Sequence, residues 1–368
     1  MTIQDIINVL DIIAPPGLQE NYDNAGLITG NVSWNCSGII ISLDATEEVV
    51  AEAIEKKCNL IVAHHPIVFS GLKKITGRNY VEKTIIAAIK NDIAIYAIHT
   101  NLDNVLDGVN GKIADKLGLI NRQILLPKNS TLKKLFTFVP QGHAEKVRNA
   151  IFAAGGGQIS NYSECSFNTP GSGTFKAGQG TDPFVGKIGE RHTEEEIRIE
   201  VIFPAWLEKA VYIAMIAAHP YEEVAYDIVA LENKNAAIGS GLVGELPQPM
   251  EEMAFLQKIK ENFSLSVIRH TPLTGKPVQK VALCGGAGSF LIGAAIAAGA
   301  GFYISADIKY HEFFDANGRL VIADIGHYES EQFTIDLLFD ILREKFLTFA
   351  VLKTGVKTNP VHYFAPNP

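Results

Sequence analysis

Two adjacent histidines, His64 and His65, follow the apolar segment 60–63 and precede Pro66. The apolar segment predicts a buried strand, on which neighbouring side chains point to opposite faces. Both imidazoles can therefore serve one site only if the strand ends at the pair and the chain turns there. Pro66 favours such a turn, because its ring fixes φ and it has no backbone N–H to donate. A functional pair and a chance pair of polar residues at a strand end both fit this segment alone.

In two further segments a histidine precedes a carboxylate by four residues. The pairs are His99 with Asp103 and His327 with Glu331. Residues four apart share one face of a helical turn, so each pair could approach a common metal ion. Imidazole and carboxylate together suit zinc, iron or manganese, and a carboxylate can bridge two ions. The competing explanation is that these are solvated side chains at strand ends.

The segments that carry these residues alternate between strand-like and helix-like patterns, in one block up to about residue 126 and another from about 239. Segments 43–63 and 283–305 each predict a strand, a helix and a second strand, so the blocks resemble a duplication. Asp307 and His311 follow the second of these segments. The alternation predicts an α/β domain with a mostly parallel sheet. Polar groups after four of its strands are then expected to meet at the carboxyl ends, where open α/β sheets bind ligands.

The middle of the chain has a different pattern. Residues 128–235 predict the order strand, helix, strand, strand, helix, strand, which is typical of a ferredoxin-like α+β module. We expect this module to be inserted into a discontinuous α/β domain made of residues 1–127 and 236–368. Within it, the segment HPYEE (219–223) suggests either metal binding or a capping or subunit-contact role.

Composition narrows the function classes. The chain has 368 residues, of which 47% are hydrophobic and 20% charged, so two globular domains are expected. A net charge of -8 argues against a broad nucleic-acid-binding face. The four cysteines show no CxxC spacing, so neither a disulfide framework nor a structural zinc is predicted, and a reducing cytoplasm fits best. The N-terminal segment lacks the basic region of a signal peptide, and glycines break the most apolar stretch, 289–305.

The segment CGGAGS (284–289) lies between a predicted strand and a predicted helix. Its amides could bind an anion at the start of the helix. The alternative is a tight turn that lets the helix pack closely. The segment lacks the GK[ST] of a phosphate-binding loop, and Leu291 stands where a GxGxxG pattern would need its third glycine.

Five segments together resemble the dinuclear-metal-centre family labelled GTP cyclohydrolase I type 2 homologues, or Ngg-interacting-factor-3-like proteins. They are YDNAGLITG (22–30), VAHHP (62–66), HTNLD (99–103), SADIKYHE (305–312) and IGHYESE (325–331). The segments lie in both outer blocks in the family's order. The middle module resembles the PII-like or CutA-like insert of the longer members, most closely at AHPYEEVAYDI (218–228).

The resemblance implies two divalent ions per subunit, zinc, iron or manganese, with each histidine of the adjacent pair holding a different ion and Glu331 bridging. It also implies a toroidal homohexamer, a dimer of trimers, with the metal sites facing an internal cavity. His99, Asp307 and His311 are expected either in the pocket or among the residues that support the metal ligands, and His99 or Asp307 would carry protons. The implied metal ligands are His64, His65, Asp103, His327 and Glu331.

Two classes of function fit this site. The first is a metal-dependent hydrolase that acts on a nucleotide-like or phosphorylated small molecule, because a two-metal site can activate water. The second is a non-catalytic hexamer that buffers or delivers metal, or a regulatory protein whose insert senses a small ligand. The polar residues His99, Asp307 and His311, which are not needed as metal ligands, favour a hydrolase. The insert favours a regulatory protein, because PII-like modules resemble sensors of small ligands.

Overall fold

The computed structural model describes residues 1–364 and contains two compact units. The outer unit contains residues 1–127 and the described residues from Ala236 onward, and the insert unit contains Lys128–Asn235. The strands are β1 (Gly26–Thr29), β2 (Ile39–Ser42), β3 (Leu60–Ala63), β4 (Ala94–Ala97), β5 (Ile120–Pro127), β6 (Leu132–Pro140), β7 (Phe167–Lys176), β8 (Arg191–Pro204), β9 (Tyr226–Ala230), β10 (Gly239–Met250), β11 (Arg269–His270), β12 (Val278–Ala287), β13 (Phe302–Ala306), β14 (Val321–Asp324) and β15 (Val351–Lys353).

Helices connect most of these strands. The α-helices are α1 (Ile3–Ile13), α2 (Glu47–Glu55), α3 (Tyr80–Lys90), α4 (Thr100–Asp103), α5 (Val109–Leu117), α6 (Ala144–Ala153), α7 (Glu208–Ala218), α8 (Glu252–Asn262), α9 (Ile292–Ala297), α10 (His327–Glu331) and α11 (Thr334–Lys345). Short 3-10 helices span Pro16–Leu18, Gln141–His143, Ala205–Leu207, Ser289–Leu291 and Tyr310–Ala316.

The first sheet of the outer unit has the strand order β1-β4-β3-β2-β15. Strands β4, β3, β2 and β15 are parallel, and β1 pairs antiparallel with β4 at the edge. Every residue of β2, β3 and β4 is buried, as expected for parallel strands covered on both faces. Ile61 of β3 belongs to the same core cluster as Val49 of α2 and Ile85 of α3.

The second sheet has the order β11-β14-β13-β12-β10-β5. Only β12, β13 and β14 are mutually parallel, while β11, β10 and β5 join by antiparallel pairing. The prediction of a single, mostly parallel sheet is therefore corrected to two sheets, of which the second is mixed. The physical reason lies at the edge: Pro127 pairs with Gly239, so the chain leaves for the insert and returns at one place, and β5 and β10 must run in opposite directions.

Both sheets present neighbouring parallel strands whose carboxyl ends carry the residues singled out from the sequence. In the first sheet these are β3 and β4, and in the second β13 and β14. A short helical turn follows one strand of each pair: α4 after β4 and α10 after β14. These turns place each histidine-to-carboxylate pair on one helical face, as the spacing predicts.

The insert unit is an antiparallel sheet of order β7-β8-β6-β9 with α6 and α7 in the connections. The element sequence βαββαβ with this spatial order is the ferredoxin-like arrangement. Its core contains buried residues of both layers: Leu135, Ile199, Val201 and Phe203 from the sheet, with Val147, Ile151, Val211 and Met215 from the helices.

Within residues 1–364, no helix is long and apolar enough to cross a membrane. The most apolar stretch of the sequence instead forms the 3-10 helix Ser289–Leu291, the six-residue α9 and strand β13. All four cysteines are free thiols.

Excision of residues 128–235 is expected to leave a folded outer unit that still binds metal. Because Pro127 and Gly239 are already paired, joining residue 127 to residue 236 through Asn-Gly leaves a loop of about five residues, which should close β5 and β10 as a hairpin. Residues 236–238 are kept, since Ile238 forms a bridge with Val105. Circular dichroism melting and elemental analysis should give a cooperative transition and the metal content of the full chain. Aggregation of the shortened chain would contradict the independence of the outer unit.

Candidate metal centre

His64 is fully buried at the end of β3, and its two ring nitrogens differ in role. Nδ1 lies 2.8 Å from the carbonyl oxygen of Ile98, which can only accept, so Nδ1 carries the proton and Nε2 has a free lone pair. Nε2 has no hydrogen-bond partner among the residues that the structure describes. It points at the carboxylate of Asp103, with Oδ1 at 3.6 Å, and that oxygen is equally buried and unpartnered in the described chain.

Unpartnered buried polar atoms are unfavourable, at about 1–3 kcal/mol each, so this pair calls for a ligand. Oε1 of Glu331, itself buried, lies 3.9 Å from His64 Nε2 and completes a group of three. The ligand atoms of His64, Asp103 and Glu331 lie within 4.8 Å of one another. One imidazole nitrogen and two carboxylate oxygens fit a divalent cation of the zinc, iron or manganese type.

A second group of three uses the other oxygen of the same glutamate. Oε2 of Glu331 lies 3.0 Å from Nε2 of His65 and 3.1 Å from Nε2 of His327. The two imidazole nitrogens lie 3.3 Å apart. Glu331 therefore directs one oxygen to each group, which is the geometry of a carboxylate that could bridge two cations.

Three of the histidines are oriented by carboxylates on their outer nitrogens, each at 2.7 Å. Such contacts fix the tautomer and turn Nε2 towards the centre, an arrangement typical of metal-ligating histidine. The pairs are His65 with Asp44, His327 with Asp307, and His99 with Asp23.

Local backbone structure places these carboxylates. Asp44 follows β2 by two residues, and Asp307 follows β13 directly with a left-handed φ of 55°. Asp23 is held in its loop because Oδ2 accepts hydrogen bonds from the backbone N–H and the hydroxyl of Thr100, at 3.1 and 2.5 Å. Thr100 begins α4, so the same contact positions His99 immediately before that helix.

The charges of the cluster shift several pKa values. Burial opposes protonation of His65, but its hydrogen bonds with Asp44 and Glu331 raise the pKa to about 10. His327 is only partly buried; desolvation lowers its pKa, but hydrogen bonds with Glu331 and Asp307 outweigh this and raise the pKa to about 9. The pKa of Asp103 is raised, first by burial and then by the charge of Glu331. For Glu331 burial is outweighed by hydrogen bonding, above all with His327, so its pKa lies well below the usual range. A bound cation would relieve the repulsion between the two carboxylates.

The cluster opens onto a cavity of about 620 Å³. Among the described residues that line it there is no lysine or arginine. Phe69 forms part of the wall, with its ring centroid 6.1 Å from that of His99 and 6.4 Å from that of Tyr22. The lining includes Glu20, Tyr22, His65, Pro66, Phe69, His99, Asp103, Asn110, Cys284, Gly285, Phe290, His327 and Glu331.

The glycine segment 284–289 serves packing at this site. The backbone N–H groups of Gly285 and Gly286 donate to Asn110 and to Ser330, so neither is free for an anion. Gly286 has φ +61°, and a Cβ there would overlap Oε1 of Glu331. Gly285 and Gly286 therefore support the second interpretation of this segment, a tight turn that allows close packing, rather than an anion-binding site.

The structure brings six of the eight residues singled out from the sequence to one cluster: His64, His65, His99, Asp103, His327 and Glu331. Asp307 contacts the cluster through Nδ1 of His327 rather than through the cavity. His311 lies elsewhere, on the exposed 3-10 helix, where its ring contacts Tyr310 and Phe314. His311 is not among the described residues that line the cavity, and a role for it at the site stays a prediction.

In the insert unit, His219 caps a helix. Its Nε2 bonds the carbonyl of Phe138 at 3.0 Å, and its Nδ1 accepts from the N–H of Tyr221 at 3.1 Å. Both ring nitrogens are therefore occupied, and burial lowers the pKa of this histidine. The carboxylate of Glu222 accepts from the N–H of Asp182 at 3.0 Å. The capping interpretation fits these contacts, and metal binding does not.

Two residues of the site escaped the sequence analysis. Asp44 ends an apolar strand segment, as the histidine pair does, so its position was an available signal. Asp23 lies within the segment YDNAGLITG, but nothing local to that segment indicates that it faces His99, which is far along the chain.

Comparison with known proteins places this geometry in context. The family model Duf34/NIF3 (NGG1p interacting factor 3) matches residues 1–360. A protein of Halalkalibacterium halodurans named GTP cyclohydrolase 1 type 2 homolog is 38% identical over 362 residues, 97% of each chain. One of the same name from Bacillus subtilis is 39% identical over 327 residues, 88% of each.

Two solved structures are similar to this chain over nearly its whole length. A Bacillus cereus protein described as related to NIF3 has 38% sequence identity and a TM-score of 0.84, with 99% of each chain covered. A Staphylococcus aureus protein has 27% identity and a TM-score of 0.77, again over 99% of each.

Proposed function

The chain belongs to the Duf34/NIF3 family, and we propose that it binds two divalent metal ions and hydrolyses a nucleotide-like or phosphorylated small molecule. The observation that carries this proposal is a pair of buried atoms, Nε2 of His64 and Oδ1 of Asp103, which lie 3.6 Å apart and have no hydrogen-bond partner within residues 1–364. Nothing in ordinary packing accounts for two such atoms facing each other beside Glu331, whereas a cation would bind all three.

We assign one ion to His64, Asp103 and Glu331, and the other to His65, His327 and Glu331. When bound, the ions supply Lewis acidity that activates water and polarises a carbonyl or phosphoryl oxygen. Asp44 and Asp307 are positioning residues, since each holds the outer nitrogen of a ligand imidazole.

His99 is the proton carrier of this proposal. The carboxylate of Asp23 holds Nδ1 of His99 in place. Burial by itself would raise the pKa of Asp23, but its hydrogen bonds with His99 and Thr100 lower that pKa to about 2. The carboxylate therefore stays ionised and keeps the imidazole oriented, with Nε2 left to exchange protons at the cluster. Because lysine and arginine are missing from the described lining, an anionic substrate group is expected to bind only to the metal-loaded protein.

The test combines metal content with turnover. Elemental analysis of the purified chain is expected to give two divalent ions per subunit. A panel of nucleotides and phosphoesters should then be hydrolysed by the loaded protein and not by the chelated protein or the Glu331→Ala variant. Full occupancy without turnover of any compound would overturn the hydrolase assignment and leave a protein that buffers or delivers metal.

Metal binding is expected to release at least two protons per chain at pH 7, because an imidazole must be neutral to coordinate, and part of a further proton comes from Asp103, whose pKa burial raises to about 7. His65 and His327 have pKa values of about 10 and about 9 in the metal-free protein, so both carry a proton at that pH. Apparent affinity should accordingly rise with pH until these values are reached. Calorimetric titration in buffers of different ionisation enthalpy counts the protons, and a buffer-independent heat would contradict the assignment of these two ligands.

We also infer that the chain forms a toroidal homohexamer, a dimer of trimers, and membership of the family supports this assembly. We further infer that the protein is in the reducing cytoplasm, with which its four free thiols are consistent. The ferredoxin-like strand order supports a PII-like or CutA-like insert. Light scattering should give six times the chain mass of 40.0 kDa, and a monomeric or trimeric mass would contradict the hexamer.

A further inference from the structure

The insert unit contains a cavity of its own, of about 570 Å³, which the metal-centre residues do not line. This volume lies in the range of roughly 300–1,000 Å³ that is usual for small-molecule sites. Four aromatic side chains contribute to its walls. Phe138 comes from β6, Phe175 from β7, Phe184 from the loop between β7 and β8, and Tyr221 from the segment between α7 and β9.

Three of the rings surround the cavity without stacking on each other. The ring of Tyr221 lies 6.1 Å from that of Phe175, at an interplanar angle of 60°, and 6.3 Å from that of Phe184, at 54°. All three rings line the cavity, so a ligand there would be in contact with aromatic side chains. The negative face of an aromatic ring attracts a cation placed within about 6 Å of its centre.

Carboxylates lie beside the rings: Glu196, Glu222 and Glu223 line the same cavity. Oε1 of Glu196 accepts a hydrogen bond of 2.9 Å from the hydroxyl of Tyr221, which fixes the carboxylate against the aromatic wall. Gly173 on β7 leaves the room for it, because a Cβ at that position would overlap the Glu196 carboxylate.

The only cationic side chain of the lining, Arg198, is engaged elsewhere among the described residues. Its Nη2 lies 3.2 Å from Glu200, and its guanidinium stands 4.8 Å from the ring centroid of Phe136. The lining therefore presents an excess of negative charge, and an anionic ligand would meet carboxylates without a free cation.

We propose that this cavity binds a small organic cation, an ammonium group on a compact apolar body. The faces of Phe175, Phe184 and Tyr221 contact the apolar body and the charged head, and Glu196 is the counter-charge. Nothing in this assignment depends on metal binding in the outer unit.

Calorimetric titration of the full chain with choline tests the proposal, with the uncharged isostere 3,3-dimethyl-1-butanol as the matched ligand. We expect saturable choline binding and at least about tenfold weaker binding of the isostere, because only the charge differs. Phe184→Leu and Glu196→Gln should each weaken choline binding about fivefold or more. Phe167→Leu, an exposed aromatic on β7 outside the lining, and Glu331→Ala in the metal centre should leave it unchanged.

Phe184 is half exposed, so its replacement leaves the insert core intact, and a melting curve of each variant verifies this. Equal affinity for choline and its isostere, or absence of saturable binding, would overturn the proposal. So would unchanged choline affinity in both cavity variants. A change of oligomeric mass in Phe184→Leu with unchanged choline binding would identify the cavity as a subunit contact instead.

Discussion

Replacing Glu331 with alanine is expected to remove at least one of the two ions while the chain stays folded. Among the described residues, Glu331 directs an oxygen to each group: Oε1 lies 3.9 Å from Nε2 of His64, and Oε2 lies 3.0 Å from Nε2 of His65. Loss of a supporting group around a metal typically lowers affinity about 10–100-fold, and loss of a ligand shared by two ions should exceed that range. Elemental analysis and titration with zinc measure the effect.

The isosteric variant Glu331→Gln separates charge from shape. It keeps the volume in the buried space beside Gly286 but removes the negative charge, so it should also lose an ion. The control is Glu344→Gln, a carboxylate exposed on α11, which should bind both ions normally. Two ions retained in both Glu331 variants would refute the bridging assignment. The melting curve distinguishes metal loss from unfolding.

Gly286→Ala is expected to weaken metal binding strongly although position 286 carries no ligand. A Cβ there would overlap Oε1 of Glu331 and come within 3.2 Å of the ring of His327, so the shared carboxylate must move. The residue also has φ +61°, a left-handed conformation that is unfavourable for alanine by roughly 1–2 kcal/mol. We therefore expect a lower free energy of unfolding, measured in urea, together with the loss of at least one ion.

Gly293→Ala is the matched control on the neighbouring helix α9. A Cβ at this exposed position meets no atom within 4 Å, and no left-handed φ applies. In a helix, glycine to alanine should raise the free energy of unfolding by about 0.5–1 kcal/mol and leave metal binding unchanged. If both alanine variants bound metal alike, the close approach of Gly286 to Glu331 would have no functional role.

Local patterns in the sequence determined where several helices and strands form and which metal-ligating side chains they bear. Apolar residues at helical spacing in 3–10 predict α1, in which Ile3, Ile6, Ile7 and Leu10 are all buried. The strands before the histidine pair and before His327 were equally evident, because a run of buried aliphatic residues ends at each. The four-residue spacings indicated that each pair would share one face if a helical turn followed its strand, and α4 and α10 are such turns.

Tertiary structure alone decided which carboxylate meets which imidazole. Asp23 contacts His99 across 76 positions, and His65 contacts Glu331 across 266, and no local pattern encodes such partners. The same holds for the division into two sheets, the antiparallel edge strands and the exposed position of His311. A continuous run of apolar residues indicates that a strand is buried on both faces, but the strands that pair with it depend on how distant parts of the chain come together. The sequence thus determined which side chains could bind metal, and the packing of the two sheets decided that one glutamate reaches both groups.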